Sequence, residues 1–271
     1  MLIAQITDAH VGPAGRLFYD RVDTGAALSA AVAALNALEP RPDIVLFTGD
    51  LGDEGTPEEY AHIAARLAPL EIPLAVVPGN HDRRAALRAA FAANPWLPAG
   101  DGPLHQAIED FPVRLIGLDT LDEAESGAGR IDAAGCDWLE ARLAEAPERP
   151  TVVFMHHPPF ATGIGHMDAI ACHGSGALAA VIARHRQVER VLCGHVHRPV
   201  TLRWAGTVAS IAPSVAHQVA LDLRPGGPSA FVLEPPALQL HLWLPGQGLV
   251  SHIRYLGDHG PAIAYATGEP V

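Results

Sequence analysis

Apolar positions in this chain come in short blocks, and the blocks set its architecture. Residues 2–6, 44–47, 74–77, 152–155 and 191–193 are apolar runs that close on glycine or polar residues. Runs of this length ended by turn residues predict buried β-strands. The intervening stretches read as helices. One spans about 24–38, rich in Ala and Leu and stopped by Pro40. A second starts at Thr56, with Pro57 as first helical residue and Glu59 closing a capping box. A third covers about 83–93, and Asp132 and Ser175 are placed to cap two more. Residues 104–118 predict a hairpin turning near Asp110, which suggests passage into a second sheet. After Thr207 the pattern is strand upon strand, at 208–211, 219–223, 230–233, 238–244 and 249–255. The separators are Pro225-Gly226-Gly227-Pro228 and Pro245-Gly246-Gln247-Gly248.

The polar residues that end the first five runs carry the candidate chemistry. They are Asp8-Ala9-His10, Gly49-Asp50, Gly79-Asn80-His81-Asp82, His156-His157 and Gly194-His195-Val196-His197. Open α/β sheets place their sites at strand C-termini, where all five clusters fall. Any one cluster reads equally well as turn formers and caps. Five in succession, each after an apolar run, point to a shared metal site. Carboxylate, imidazole and amide oxygen together suit Zn, Mn, Fe or Co, while the shortage of carboxylates and thiolates disfavours a calcium cage or a structural zinc. Asp8 and His10 reach one ion if their strand breaks into a loop. Asp50 is placed to bridge two ions with its two oxygens, Asn80 offers a neutral oxygen to the second, and His195 and His197 are spaced to divide between them. Two such ions clamp a phosphate and make hydroxide available near neutral pH.

Composition narrows the classes. The chain has 271 residues, 49% hydrophobic and 18% charged, with a net charge of −12, as expected of a globular α/β protein. All 18 basic residues are arginine, which excludes lysine nucleophiles, Schiff bases and phosphate-loop lysines. The acidic balance disfavours nucleic acid polymers and anionic membranes as partners. Cys136, Cys172 and Cys193 show no pairing pattern, the first apolar run is too short for a signal core, and no segment has the length of a membrane span. A cytoplasmic location is the expectation.

The five strings, in this order, resemble the calcineurin-like metallophosphoesterase family, whose pattern is Asp-x-His, Gly-Asp, Gly-Asn-His-Asp/Glu, His and Gly-His-x-His. The resemblance covers about residues 1–200. It is closest to the bacterial class III cyclic nucleotide phosphodiesterases and glycerophosphodiesterases, to which Pro213-Ser214-Val215-Ala216-His217 and Pro235-Pro236-Ala237-Leu238-Gln239-Leu240 also point. The resemblance implies an α/β fold, a four-layer α-β-β-α sandwich of two mixed sheets with a β-rich C-terminal extension. It implies a core at 1–217, and late strands at 218–271 that complete the sandwich and pair subunits into a homo-oligomer. One ion is expected on Asp8, His10 and His197, the other on Asn80, His156 and His195, with Asp50 shared. His81 is expected to act on the substrate as a catalytic residue, and His217 to touch the substrate.

The implied function is two-metal hydrolysis of small phosphodiesters, glycerophosphodiesters or 3',5'-cyclic nucleotides, by attack of metal-bound hydroxide. Two alternatives stand beside it: a two-metal phosphomonoesterase acting on small molecules or phosphoproteins, and a non-catalytic scaffold. An arginine-rich pocket would favour the monoesterase, and Arg16, Arg21, Arg83 and Arg198 lie near the motifs. His157 reads as a supporting donor or as packing before Pro158-Pro159, and Asp53, Asp82 and Asp119 as supporting groups. The segment 162–173 reads as a substrate lid or as a flexible polar loop.

Overall fold

The computed structural model describes residues 1–125 and 127–270; Val271, the last residue of the expected C-terminal unit, lies outside them. The chain begins β1 (Leu2–Ile6), α1 (Thr24–Asn36), β2 (Ile44–Thr48), α2 (Pro57–Leu67), β3 (Leu74–Val77) and α3 (Arg84–Ala90). It continues through β4 (Gln106–Ile108), β5 (Arg114–Leu118), β6 (Gly129–Arg130), α4 (Ala133–Ala144), β7 (Thr151–Met155), α5 (Gly165–Asp168) and β8 (Cys172–His173). Next come α6 (Ser175–Arg184), β9 (Val188–Cys193), β10 (Val200–Trp204) and β11 (Thr207–Ile211). It ends with β12 (Gln218–Val219), β13 (Phe231–Val232), β14 (Ala237–Leu244) and β15 (Gly248–Tyr255).

Two mixed sheets follow from this order. One runs β15-β14-β1-β2-β3, with β1, β2 and β3 parallel and β14 antiparallel to β1. The other runs β10-β11-β9-β7-β5-β4, parallel from β11 to β5 with antiparallel strands at both edges. Their facing sides share a core of Ile3, Ile44 and Leu46 against Leu115, Val152 and Phe154. The alternate residues point outward, as a period of two requires. Ala4, Ile6, Val45 and Phe47 pack on α1 and α2 through Leu28, Val32 and Ile63. Val153, Met155 and Val191 pack on α4 and α6 through Leu139, Leu178 and Val181. Both faces of each sheet are therefore covered, which is why the parallel strands read as mostly apolar runs.

The hairpin of β4 and β5 and the capping box of Thr56 and Glu59 form as the sequence predicts. Ser175 does not cap α6. Gly174, left-handed at φ 86°, holds the cap position, and the Ser175 hydroxyl turns back to the Cys172 carbonyl. The expected strands at 219–223 and 230–233 shrink to two residues each, because the intervening Pro-Gly-Gly-Pro segment leaves the sheet and Leu221 and Leu223 are exposed.

Candidate metal centre

The candidate ligands sit where β1, β2, β3, β7 and β9 end, along the seam between the sheets. β1 and β2 stay paired past their last strand residues, through Asp8 N–H to Gly49 O and His10 N–H to Asp50 O, both 3.1 Å. Within that pairing the backbone is left-handed at Asp8 (φ 54°), His10 (46°) and Asp50 (51°), and again at His195 (72°) and His197 (51°). A non-glycine residue held there costs on the order of 1–3 kcal/mol, which the surrounding structure must impose. The left-handed turns break the strand alternation, so residues two apart in sequence face one point. Gly49, at φ 94°, is required twice over, since a Cβ there would also collide with the His156 ring.

Hydrogen-bond accounting shows what these side chains face. His156 donates from Nδ1 to Thr48 O (2.8 Å), His195 from Nε2 to Ile170 O (3.2 Å), and His197 from Nδ1 to His217 O (3.0 Å). Each ring thereby turns its other nitrogen, the lone pair, inward. There His156 Nε2 lies 3.1 Å and His195 Nδ1 3.0 Å from Asn80 Oδ1. On the other side His10 Nε2 and His197 Nε2 stand 3.1 Å apart, with Asp8 Oδ1 3.4 Å from the latter. Asp50 joins the two groups: its Oδ2 is 3.5 Å from His10 Nε2 and 3.3 Å from His156 Nε2. Apart from the backbone N–H groups of His195 and His81, which donate to Asp8 and Asp50, acceptors face acceptors, an arrangement that a cation or a proton reconciles and apolar packing does not. The donor set of imidazole, carboxylate and amide oxygen fits two divalent transition ions.

Asp50 also ties in the loop after β3: its Oδ1 accepts the His81 N–H at 2.9 Å, while its Oδ2 faces both groups.

Burial and neighbours set the charge states. Burial lowers His195 to about 3 and His197 to about 4, and His10 falls well below its ordinary value from burial and the nearby His81. All three are held neutral, the form that binds metal. Burial opposes charge on His156, yet Asp50 outweighs it and lifts that ring to about 9. Burial raises Asp8 to about 7, with His156 opposing and Asp50 adding, whereas the His156 charge overcomes burial to keep Asp50 well below the carboxylate range.

The other predicted residues divide cleanly. His81 borders the cavity, its Nδ1 donating to Asp53 O at 2.6 Å and its ring 4.5 Å from that of His10. Burial alone would lower it, but Asp50 and the Asp53 carbonyl raise it. His217 also lines the cavity, and its buried Nδ1 has no hydrogen-bond partner. His157 is buried beside His195, with Nδ1 2.9 Å from the Thr120 hydroxyl. Asp82 ties the loops after β2 and β3 together, accepting from Gly79 N (2.8 Å), Leu51 N (3.3 Å) and the Tyr60 hydroxyl (2.8 Å). Asp119 lies away from the centre, engaged by Arg84 and by the backbone of Leu104 and Leu121.

A cavity of about 550 Å³ opens over the candidate ligands. Of the four arginines near the motifs only Arg16 lines it. Arg83 bonds the Asp82 carbonyl, and Arg198 is held by Val219 O and Glu234. The segment at 162–173 is a wall of the cavity: Met167 and Ile170 line it, and Asp168 holds the loop by accepting from Thr162 N and Gly163 N. Leu17, Phe18 and Tyr19 also line it. The adjacent aromatics Phe18-Tyr19 inside an otherwise polar loop were the available signal for them.

Comparison with known proteins agrees with this geometry. The model of the calcineurin-like phosphoesterase family matches residues 1–199. A protein of Arcobacter nitrofigilis named probable glycerophosphodiester phosphodiesterase GpdQ is 40% identical over 263 residues, 96% of each chain. The 3',5'-cyclic adenosine monophosphate phosphodiesterase CpdA of Escherichia coli K12 is 30% identical, covering 80% of this chain and 76% of its own. In structure, a dimetal phosphatase from Danio rerio superposes with a TM-score of 0.66 at 16% identity, over 95% of this chain and 99% of that one, and so shares the fold. With its strand order, its five motifs in sequence and these matches, the chain belongs to the calcineurin-like phosphoesterase family.

Proposed function

We propose that this protein is a two-metal phosphodiesterase acting on small diesters such as glycerophosphodiesters or cyclic nucleotides. The observation that carries the reading is Asp50 Oδ2, which lies within 3.5 Å of one ligand group and 3.3 Å of the other. Asp8, His10 and His197 would hold one ion, Asn80, His156 and His195 the second, and Asp50 both. Bound there, two divalent ions draw charge from a phosphate and acidify water. The chain's own residues supply the rest. His81, with Nδ1 fixed by Asp53 O, turns its other nitrogen toward the cavity and donates a proton to the departing alkoxide. His217 positions the ester group from the adjoining wall.

A diester is favoured over a monoester by the lining. A terminal phosphate dianion calls for several cationic donors, and among the described residues Arg16 is the one arginine that lines the cavity, beside His81, at its exposed rim and 3.7 Å from Glu54. The two curated relatives are both named for diesters. Turnover of bis(4-nitrophenyl) phosphate against 4-nitrophenyl phosphate, with Mn, Fe, Zn and Co in turn, is the test. Preference for the diester is expected. Preference for the monoester reverses the reading, and no turnover with any metal makes the chain a scaffold.

The finer setting is part of the same proposal. Free, buried Cys136, Cys172 and Cys193 support a reducing, cytoplasmic location, and no helix among the described residues is long and apolar enough to cross a membrane. The net charge of −12 supports small substrates over nucleic acid polymers. β15 is an edge strand with Ile253 and Tyr255 exposed, which supports homo-oligomer contacts within residues 218–271.

A further inference from the structure

Backbone strain marks a second place beside the metal centre. Among the described residues eight non-glycines are left-handed; five are candidate ligands, and two of the other three are Tyr19 (φ 49°) and Asp20 (φ 54°). They form the tip of a tight turn closed by Phe18 N–H to Val22 O (2.9 Å) and Val22 N–H to Phe18 O (3.1 Å). Two consecutive strained residues need something to fix them, and the turn is fixed by aromatic packing. Phe18 stacks on His217 with centroids 4.4 Å apart and planes at 23°, and Phe231 of β13 meets Phe18, Tyr19 and His217 at 5.9, 5.5 and 5.3 Å. His217 in turn lies 4.8 Å from the His197 ring and 5.5 Å from that of His10. A line of rings therefore runs outward from the first ligand group to the turn.

This line forms one side of the cavity. Leu17, Phe18 and Tyr19 line it together with Met167, Ile170 and Val219. Tyr19 is 71% exposed and Leu17 41%, an arrangement that leaves apolar surface in water beside a polar centre. A small polyol would leave that surface wet. A flat ring would cover it, stacking on aromatic faces and meeting the Met167 thioether. Arg16 and Asp20 at the rim supply polar groups for the edge of such a ring.

We propose that the turn at Leu17–Asp20, backed by Phe231 and His217, is an aromatic seat for a planar ester group, and that nucleoside phosphodiesters are preferred over glycerol diesters. The inference rests on the phosphodiesterase reading for its substrate class but stands on binding for its test. Calorimetry of the manganese-loaded protein with AMP, ribose 5-phosphate and phenyl phosphate separates base, sugar and simple aryl contributions. AMP should bind on the order of ten-fold more tightly than ribose 5-phosphate, as base–aromatic stacking provides. Tyr19→Ala should remove most of that difference without changing metal content or ribose 5-phosphate binding. Phe18→Leu, which keeps an apolar side chain against His217 but not the π face, should do the same. Phenyl phosphate binding as well as AMP would make the seat a general aryl site and overturn the nucleoside preference. Equal binding of AMP and ribose 5-phosphate, or equal weakening of both in the variants, would overturn the seat itself. Turnover supplies a separate arm: kcat/KM for 3',5'-cyclic AMP should exceed that for glycerophosphoethanolamine, and the reverse order overturns the preference. Failure of the diesterase reading shows differently, as wild-type protein that hydrolyses neither compound.

Discussion

Two buried polar clusters occupy the space between the sheets, both contain histidine, and their lone pairs meet opposite fates. At the strand ends, inward nitrogens and oxygens from Asp8, His10, Asp50, Asn80, His156, His195 and His197 face one another as acceptors. Deeper in the sandwich a second cluster is paired head to tail. Arg190 donates to the Ser251 hydroxyl, which lies 2.7 Å from His241 Nδ1. His241 Nε2 is 3.1 Å from Gln5 Oε1, and the Gln5 amide donates to Thr48 Oγ1 and Cys193 O, both at 2.9 Å. The difference teaches that burial of histidine says little about function. A buried group whose lone pairs find donors is structure, and one whose lone pairs converge on each other is a binding site.

The strongest way to break this contrast is to remove the atom that joins the two ligand groups. Asp50→Ala should take turnover to background and lower the affinity of both ions by more than the roughly 10–100-fold that loss of an outer partner costs. Metal content by elemental analysis and diester turnover are the readouts. A variant that keeps one ion at wild-type affinity would show that Asp50 belongs to a single group. Chelation should reproduce the loss of activity in the wild type, with recovery on adding metal, and should leave the His241 cluster folded by far-ultraviolet circular dichroism.

His81 tests the border between the clusters, since one nitrogen is satisfied by Asp53 O and the ring still faces the cavity. His81→Ala should keep both ions and depress turnover of alkyl diesters by about 10²–10⁴-fold. Diesters with a nitrophenol leaving group need little protonation and should suffer less. Equal losses for the two would reduce His81 to a phosphate-positioning residue, and loss of an ion would make it structural.

How much of this was legible in the sequence depends on whether the signal was local. The five apolar runs became β1, β2, β3, β7 and β9 because a strand covered on both faces is apolar at most of its positions. The ligand candidates followed, since each lies within four residues of its strand's end. The hydrogen bond from His81 N–H to Asp50 Oδ1, across 31 residues, was not legible. The pairing of His241 with Gln5 across 236 residues was equally hidden. Phe18 and Tyr19 were present as an aromatic pair in a polar loop, but their place beside His217 depends on β13 and on contacts the chain makes some 200 residues later.

A subtler change sharpens the difference between the two ligand groups. The group with Asp8 holds two carboxylates counting Asp50, while the group with Asn80 holds only the shared one. Asn80→Asp adds a charge about 3 Å from His156 and His195, and should tighten the second ion on the order of ten-fold. Turnover should slow as the added charge makes water near that ion less acidic. Stepwise metal titration followed by calorimetry measures the change, and an unaltered second step would remove Asn80 from the ligand set.

The last effect belongs to the His241 cluster. Burial, with Arg190 and His252 adding, lowers His241 to about 3, so the folded protein keeps it neutral while the unfolded chain titrates it near the ordinary value of about 6.5. Between those two values the unfolded chain binds more protons, and stability therefore falls as pH falls, by at most about 1.4 kcal/mol per pH unit from this residue. Above about 6.5 it contributes no slope. His241→Gln removes the titrating group and keeps an amide within reach of Gln5 and Ser251. The variant should lose about 1 kcal/mol at neutral pH, where one hydrogen bond is rebuilt less well. On acidification from pH 6.5 to 5, wild type should lose up to about 2 kcal/mol more than the variant, narrowing or reversing that gap. Urea melts of metal-free protein at the two pH values measure this without interference from ion release. A gap that stays constant with pH would mean that His241 picks up its proton in the folded state, and that the second cluster is less completely paired than the ligand site it is set against.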